Sequence, residues 1–127
     1  MRFLESMRGV LTSCSHAGQG VLFALRSQRN FKIHTAVGGA VLGAGIALSL
    51  SRTEMAILVA TISLVIMGEL LNTSLEYLLN LLEARNHPVA RAVKDVAAGA
   101  VLLAVCGSVV VGILLFGPRL AAVFASR

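Results

Sequence analysis

The run from Gly68 to Arg85 reads GELLNTSLEYLLNLLEAR. Coiled as a helix, at ~100° per residue, it brings Glu69, Asn72, Glu76, Asn80 and Glu83 into an arc of about 80°. Leucines fill much of the remaining surface. The result is a polar line about 21 Å long on an otherwise apolar helix. A charge at the centre of a membrane helix costs ~2.5–3.5 kcal/mol on insertion scales, and each leucine returns only ~0.3–0.6. Carboxylates carried into apolar surroundings at that cost are functional candidates. Glu69 is a candidate proton acceptor, because a carboxylate held among apolar groups takes up a proton more readily than one in water.

Opposite charge follows directly in Arg85, His87 and Arg91, then Lys94 and Asp95. Glu76 and Asp95 supply hard oxygen ligands of the kind a divalent cation takes, and Lys94 supplies a point charge for phosphate. No GxxxxGK[ST] occurs, so a P-loop is excluded. These residues by themselves leave three readings open: phosphoryl transfer to a membrane alcohol, a small proton-coupled transporter using Glu69, and a stripe that only pairs helices in an assembly factor. An acidic line that continues past the membrane edge into Lys94–Asp95 favours the first.

The elements that must hold this line are apolar helices. Three stretches are long enough to cross a bilayer: Ile33–Ser51, Met55–Leu82 and Val96–Pro118. A hydrocarbon core of ~30 Å needs ~20 helical residues. If the second enters from outside near Glu54, Glu69 lies just inside the hydrocarbon edge, and Glu76, Asn80 and Glu83 reach the headgroups or the cytosol. Residues 1–30 place Phe3, Leu4, Met7, Val10, Leu11 and Cys14 at helical spacing between Arg2, Glu5, Arg8 and Ser13, the pattern of an amphipathic helix on the membrane surface. Gly18 and Gly20 are expected to loosen or break it. No secretory leader is expected in this segment.

Composition agrees. Of 127 residues, 57% are hydrophobic and 13% charged, with a mean hydropathy of +0.85. Soluble domains carry about 25% charge, and a fold this small has too much surface to hide so much apolar material. The reading is one all-α integral membrane domain over residues 1–127. The net charge is +5, yet its cations flank apolar runs and form no stripe with aromatics, so no nucleic-acid partner is expected. Arg2, Arg8, Arg26, Arg29 and Lys32 precede the first span, and Arg85, Arg91 and Lys94 lie between the second and third, whereas Arg52 and Arg119 stand alone and Arg127 ends the chain. The bias puts the N-terminus and the second loop in the cytosol. Cys14 and Cys106 form no CxxC and read as packing residues. Gly39 and Gly43, Ala36, Ala40 and Ala44, and Ser108 and Gly112 form small faces on which membrane helices can approach closely, although such residues are also simply common in such helices. Three short helices make a thin bundle, so oligomerisation is expected.

Three blocks carry a resemblance. Glu69-Leu-Leu-Asn72-Thr-Ser-Leu-Glu76, then His87-Pro88, then Lys94-Asp95-Val-Ala-Ala-Gly99-Ala-Val, with Gln28-Arg-Asn-Phe-Lys-Ile-His34 upstream, resemble the prokaryotic diacylglycerol kinase/undecaprenol kinase family over about residues 13 to 116. The resemblance implies a homotrimer of three-span subunits with an N-terminal surface helix, multi-pass in the bacterial inner (cytoplasmic) membrane. It implies transfer of the γ-phosphate of ATP to a lipid alcohol, with Mg2+, at a site shared between subunits. By resemblance Glu69 is the catalytic base and touches the lipid. Glu76 is a magnesium ligand, with Gln28 beside it. Asn72, Lys94, Asp95, His87 and His16 belong to the ATP site, and Asn30, Phe31 and His34 to the lipid side. The chain departs from the family at three of these places: Gln28 stands where a metal-binding glutamate is usual, Asn80 where aspartate is common, and His16 where an aromatic residue is frequent. The spellings QRNFKIH and HPVARAVKDVAAGAV, and the lack of tryptophan, resemble the undecaprenol branch more than the diacylglycerol branch. The expected activity is phosphorylation of undecaprenol to undecaprenyl phosphate, with diacylglycerol as the alternative.

Overall fold

The computed structural model describes residues 2–83 and 87–125, with side chains from residue 7 onward. Arg85 and Arg127, counted above among the cations, lie outside the described residues, as do the side chains of Arg2, Phe3, Leu4 and Glu5. Four helices follow one another: α1 (Arg2–Ser27), α2 (Arg29–Ala47), α3 (Arg52–Leu81) and α4 (Pro88–Ala125). Among the described residues there is no strand.

Helix α1 runs without interruption through Gly18 and Gly20, against expectation. Each helical glycine costs about 1 kcal/mol relative to alanine, too little to stop a 26-residue helix. The break falls instead at Gln28, whose extended backbone (φ −107°, ψ 120°) caps α2 with no side-chain bond. Met7, Val10 and Leu11 are exposed, and α1 meets the other helices near its C-terminal end. There Ala24 is buried, and Phe23 stacks obliquely on Tyr77 of α3 with ring centroids 5.1 Å apart.

The turn between α2 and α3 is tightly specified. Leu50 N–H donates to Gly45 O, and Ser49 N–H donates to Ile46 O. This is a Schellman motif, with Ser49 at φ 53° in the place glycine usually takes. Ser51 then caps α3 in a capping box with Glu54. The α2–α3 contact is made through Gly38 and Gly45. A Cβ at Gly38 would sit 2.9 Å from Ile62 Cγ2, and one at Gly45 would sit 3.2 Å from both Leu58 Cδ2 and Met55 Cε. The expected pair Gly39 and Gly43 faces open space within the chain. The packing face is thus rotated by one residue, about 100°, from the Gly39–Gly43 face.

At the far end of α3, Glu83 takes φ 52° and its N–H donates to Asn80 O. It sits in the left-handed position that ends a helix. The helical polar line therefore ends at Asn80, and Glu83 does not extend it. Helix α4 begins at Pro88, where a missing N–H is no loss, and continues past the expected end at Pro118 to Ala125. Arg119 ties this extension down. Its guanidinium donates to both carboxylate oxygens of Glu54, at 2.7 and 2.8 Å, and to the carbonyls of Leu48 and Leu115.

Helices α3 and α4, of 30 and 38 residues, are long and apolar enough to cross a membrane. Helix α2, of 19 residues, begins at Arg29, ahead of the expected first span, and ends at Ala47, short of Ser51; it is not among the helices that meet this length and hydropathy. Among the described residues few apolar side chains are buried, namely Ala24, Phe31, Leu58, Val65, Ala90, Val101 and Leu115, while large ones such as Leu102, Leu103, Ile113 and Leu114 stand exposed along α4. An apolar surface of that extent belongs in lipid.

Candidate functional site

The polar line of α3 divides into two environments. Glu69 is buried, its side chain 4% exposed, and its Oε1 lies 3.4 Å from Nε2 of His34 on α2. Thr73, one turn further along, is buried as well. The apolar periodicity of α3 turns this face inward, against α1 and α2, because Leu58 and Val65 share it at heptad-like spacing. Phe31, one turn before His34, is sealed inside the chain at 2% exposure. Asn30 is exposed and Asn72 half-buried. Of the three residues assigned to the lipid side, only His34 lines an open apolar groove. That groove, of about 410 Å³, runs between α2, α3 and α4 from His34 past Gly38 and Val65 to Phe116.

Two turns along α3 the surroundings become polar. Glu76 and Asn80 face Ala90, Arg91 and Lys94 of α4 across a hollow of about 390 Å³. Lys94 Nζ lies 2.6 Å from Glu76 Oε1. Arg91, one turn before Lys94, shares this hollow and forms no ion pair among the described residues. Residues three apart on a helix are neighbours, so the spacing of Arg91 and Lys94 is the signal that marks Arg91 as part of the site. Asp95 is exposed and does not line the hollow, because one step round α4 turns it about 100° away from Lys94. His87 is exposed, and its Nδ1 accepts from Val89 N–H at 3.2 Å, which ties it to the start of α4. His16 is exposed on α1, and Gln28 is half-buried at the joint between α1 and α2. The chain therefore joins Glu76, Asn80, Arg91 and Lys94 in one place and Glu69 with His34 in another. His16, Gln28, Asn72, His87 and Asp95 line neither the hollow nor the groove.

Among the described residues there is no cluster of three or more metal-ligating side chains. Mg2+ asks for less than that, since it is commonly held by one or two carboxylates together with water and substrate phosphates. The Glu76 carboxylate, a third exposed at the hollow beside the Asn80 amide, fits that demand.

Apolar helices of this length, a carboxylate buried at one depth and a cation-lined hollow two turns away define a helical membrane protein with a site suited to phosphate chemistry. The chain belongs to the prokaryotic diacylglycerol kinase family, whose profile matches residues 15–116. It is 41% identical over 105 residues to undecaprenol kinase of Bacillus subtilis, covering 83% of this chain and 85% of that one. It is 45% identical over 112 residues to diacylglycerol kinase of Synechocystis, covering 87% of this chain and 64% of that one. The protein is a membrane lipid kinase, with a lipid and ATP as its substrates.

Proposed function

We propose that this kinase transfers the γ-phosphate of ATP to the hydroxyl of undecaprenol, giving undecaprenyl phosphate. The observation that carries the reading is the division of α3 into a buried Glu69 and an open, cation-lined hollow at Glu76, about 10 Å apart along one helix. His34, 3.4 Å from Glu69, lines the apolar groove by which an apolar alcohol would approach the first, and a soluble nucleotide reaches the second. Glu69 takes the hydroxyl proton as the lipid oxygen bonds to the γ-phosphorus. The bond from that phosphorus to the bridging oxygen breaks, and ADP leaves. Lys94 and Arg91 hold the phosphates, which requires Lys94 to exchange Glu76 for the nucleotide. Glu76, with Asn80 beside it, holds Mg2+, which when bound neutralises charge on the phosphates.

The preference for undecaprenol rests on the Gln28–His34 and His87–Val101 spellings and on the undecaprenol kinase relative, which this chain matches over most of both lengths. The diacylglycerol kinase relative supports diacylglycerol as the second reading. We further propose a homotrimer in which α2, α3 and α4 each cross the inner membrane, α1 lies on its surface and the N-terminus is cytoplasmic. The shared site of such a trimer would bring His16, Gln28, Asn72, His87 and Asp95 to the nucleotide. The test is to incubate the purified protein in lipid nanodiscs with labelled ATP and either undecaprenol or diacylglycerol. Preferential labelling of undecaprenol is expected. Preferential labelling of diacylglycerol would transfer the assignment to the second reading.

A further inference from the structure

Once Glu69 has accepted a proton it must lose it before it can act again, and its surroundings make that difficult. The side chain is 4% exposed, on the inner face of α3 between Val65 and Thr73, both buried. Direct exchange with water is therefore hindered. One titratable group stands within reach, the Nε2 of His34, 3.4 Å from Oε1. Among the described residues no other charged or titratable side chain pairs with either of them.

We propose that His34 takes the proton from Glu69 after phosphoryl transfer and so returns Glu69 to its basic form. This rests on Glu69 being the base, as proposed above. The O–H bond on Glu69 breaks as an N–H bond forms at Nε2 of neutral His34. The resulting imidazolium then gives up a proton to water, and no further reactant is needed. Two features support the direction. The His34 side chain is 25% exposed where Glu69 is 4%. Residue 34 is also less than two turns from the polar start of α2, where Arg29, Asn30 and Lys32 are all exposed. His34 thus connects a closed carboxylate to the polar start of α2. In this proton step it acts through Glu69.

That role makes the test specific. Rapid-quench kinetics with labelled ATP would be run on the full-length protein in nanodiscs containing the lipid it phosphorylates. At saturating lipid, which offsets any contact His34 makes in the groove, H34A should still give a rapid first turnover of one phospholipid per site. The following steady state should fall about tenfold or more, at the low end of acid–base contributions. Added imidazole should restore the steady state without changing the first turnover. H34Q keeps a polar group of similar reach but cannot carry a proton, and it should behave as H34A does. It also serves as the second variant if H34A folds poorly. A first turnover slowed in parallel with the steady state would make His34 a mere support for Glu69. Full steady-state turnover in H34A or H34Q, or no response to imidazole, would equally overturn the proposal. E69Q separates the two levels. If it stays active, the reading of Glu69 as base falls. If it is inactive while H34A turns over normally, only the proton exit falls.

Discussion

Lys94 of α4 and Glu76 of α3 are eighteen residues apart in sequence, and their side chains meet at 2.6 Å at the mouth of a polar hollow. Both ends are open to solvent, with side-chain exposures of 57% and 32%. A pair so exposed contributes ~0–1 kcal/mol to the fold. Its removal should therefore show in nucleotide handling and not in stability. K94A and E76A should each raise the KM for MgATP about tenfold or more, as charged contacts to phosphate and metal are lost. The double variant should fall short of the product of the two effects, with a coupling of ~0.5–3 kcal/mol. R91A should raise the same KM without altering that for lipid. Steady-state kinetics at varied MgATP check all four proteins.

Glu69 separates chemistry from packing. E69Q keeps shape and hydrogen bonding but cannot accept the proton. General-base contributions are ~10²–10⁴-fold, so turnover should fall to about one per cent or less while ATP and lipid binding are kept. Near-normal turnover in a folded E69Q protein would make Glu69 a structural residue.

Gln28 is a neutral residue at a place where the resemblance implies a metal-binding glutamate. Within one chain it lies at the α1–α2 joint, apart from the hollow at Glu76. If a neighbouring subunit brings it to the metal, Q28E should lower the magnesium concentration needed for half-maximal activity. An unchanged magnesium titration would place Gln28 outside the metal shell.

The proposed topology predicts that the α2–α3 turn and the start of α4 face opposite sides of the membrane. In a variant with Cys14 and Cys106 replaced by alanine, single cysteines at Ser51 and Val89 should react with an impermeant thiol reagent from opposite sides. Both sites are exposed. Reaction of both from outside in intact cells would refute the arrangement.

Adjacent glycines in α2 give a packing test. G38A sets a Cβ 2.9 Å from Ile62 Cγ2, so Ile62 must move, and a loss of ~1–3 kcal/mol is expected from overpacking. G39A meets open space within the chain and should be neutral, or stabilising by ~0.5–1 kcal/mol. Thermal unfolding in detergent compares them. Greater damage from G39A than from G38A would mean that α2 packs through the other face.

Much about this protein is local and so is legible along the chain. Hydropathy and a 3.6-residue period mark the long apolar helices, because a helix satisfies its own backbone bonds and needs only length and apolar character to suit lipid. The same period aligns Glu69, Asn72, Glu76 and Asn80, and the ELLNTSLE and KDVAAGAV blocks carry the family. What sequence spacing leaves undetermined is how each helix is rotated about its axis and where two helices cross. Those are settled by side-chain fit between elements. That is why the Gly38–Gly45 face packs on α3 and the Gly39–Gly43 face does not. Rotation also decides that His34 meets Glu69, that Arg91 joins Lys94 at Glu76, and that Asp95 turns away. The ends of helices follow the same logic: Gln28, Glu83 and Arg119 owe their positions to backbone turns and a long-range clamp that no periodicity encodes.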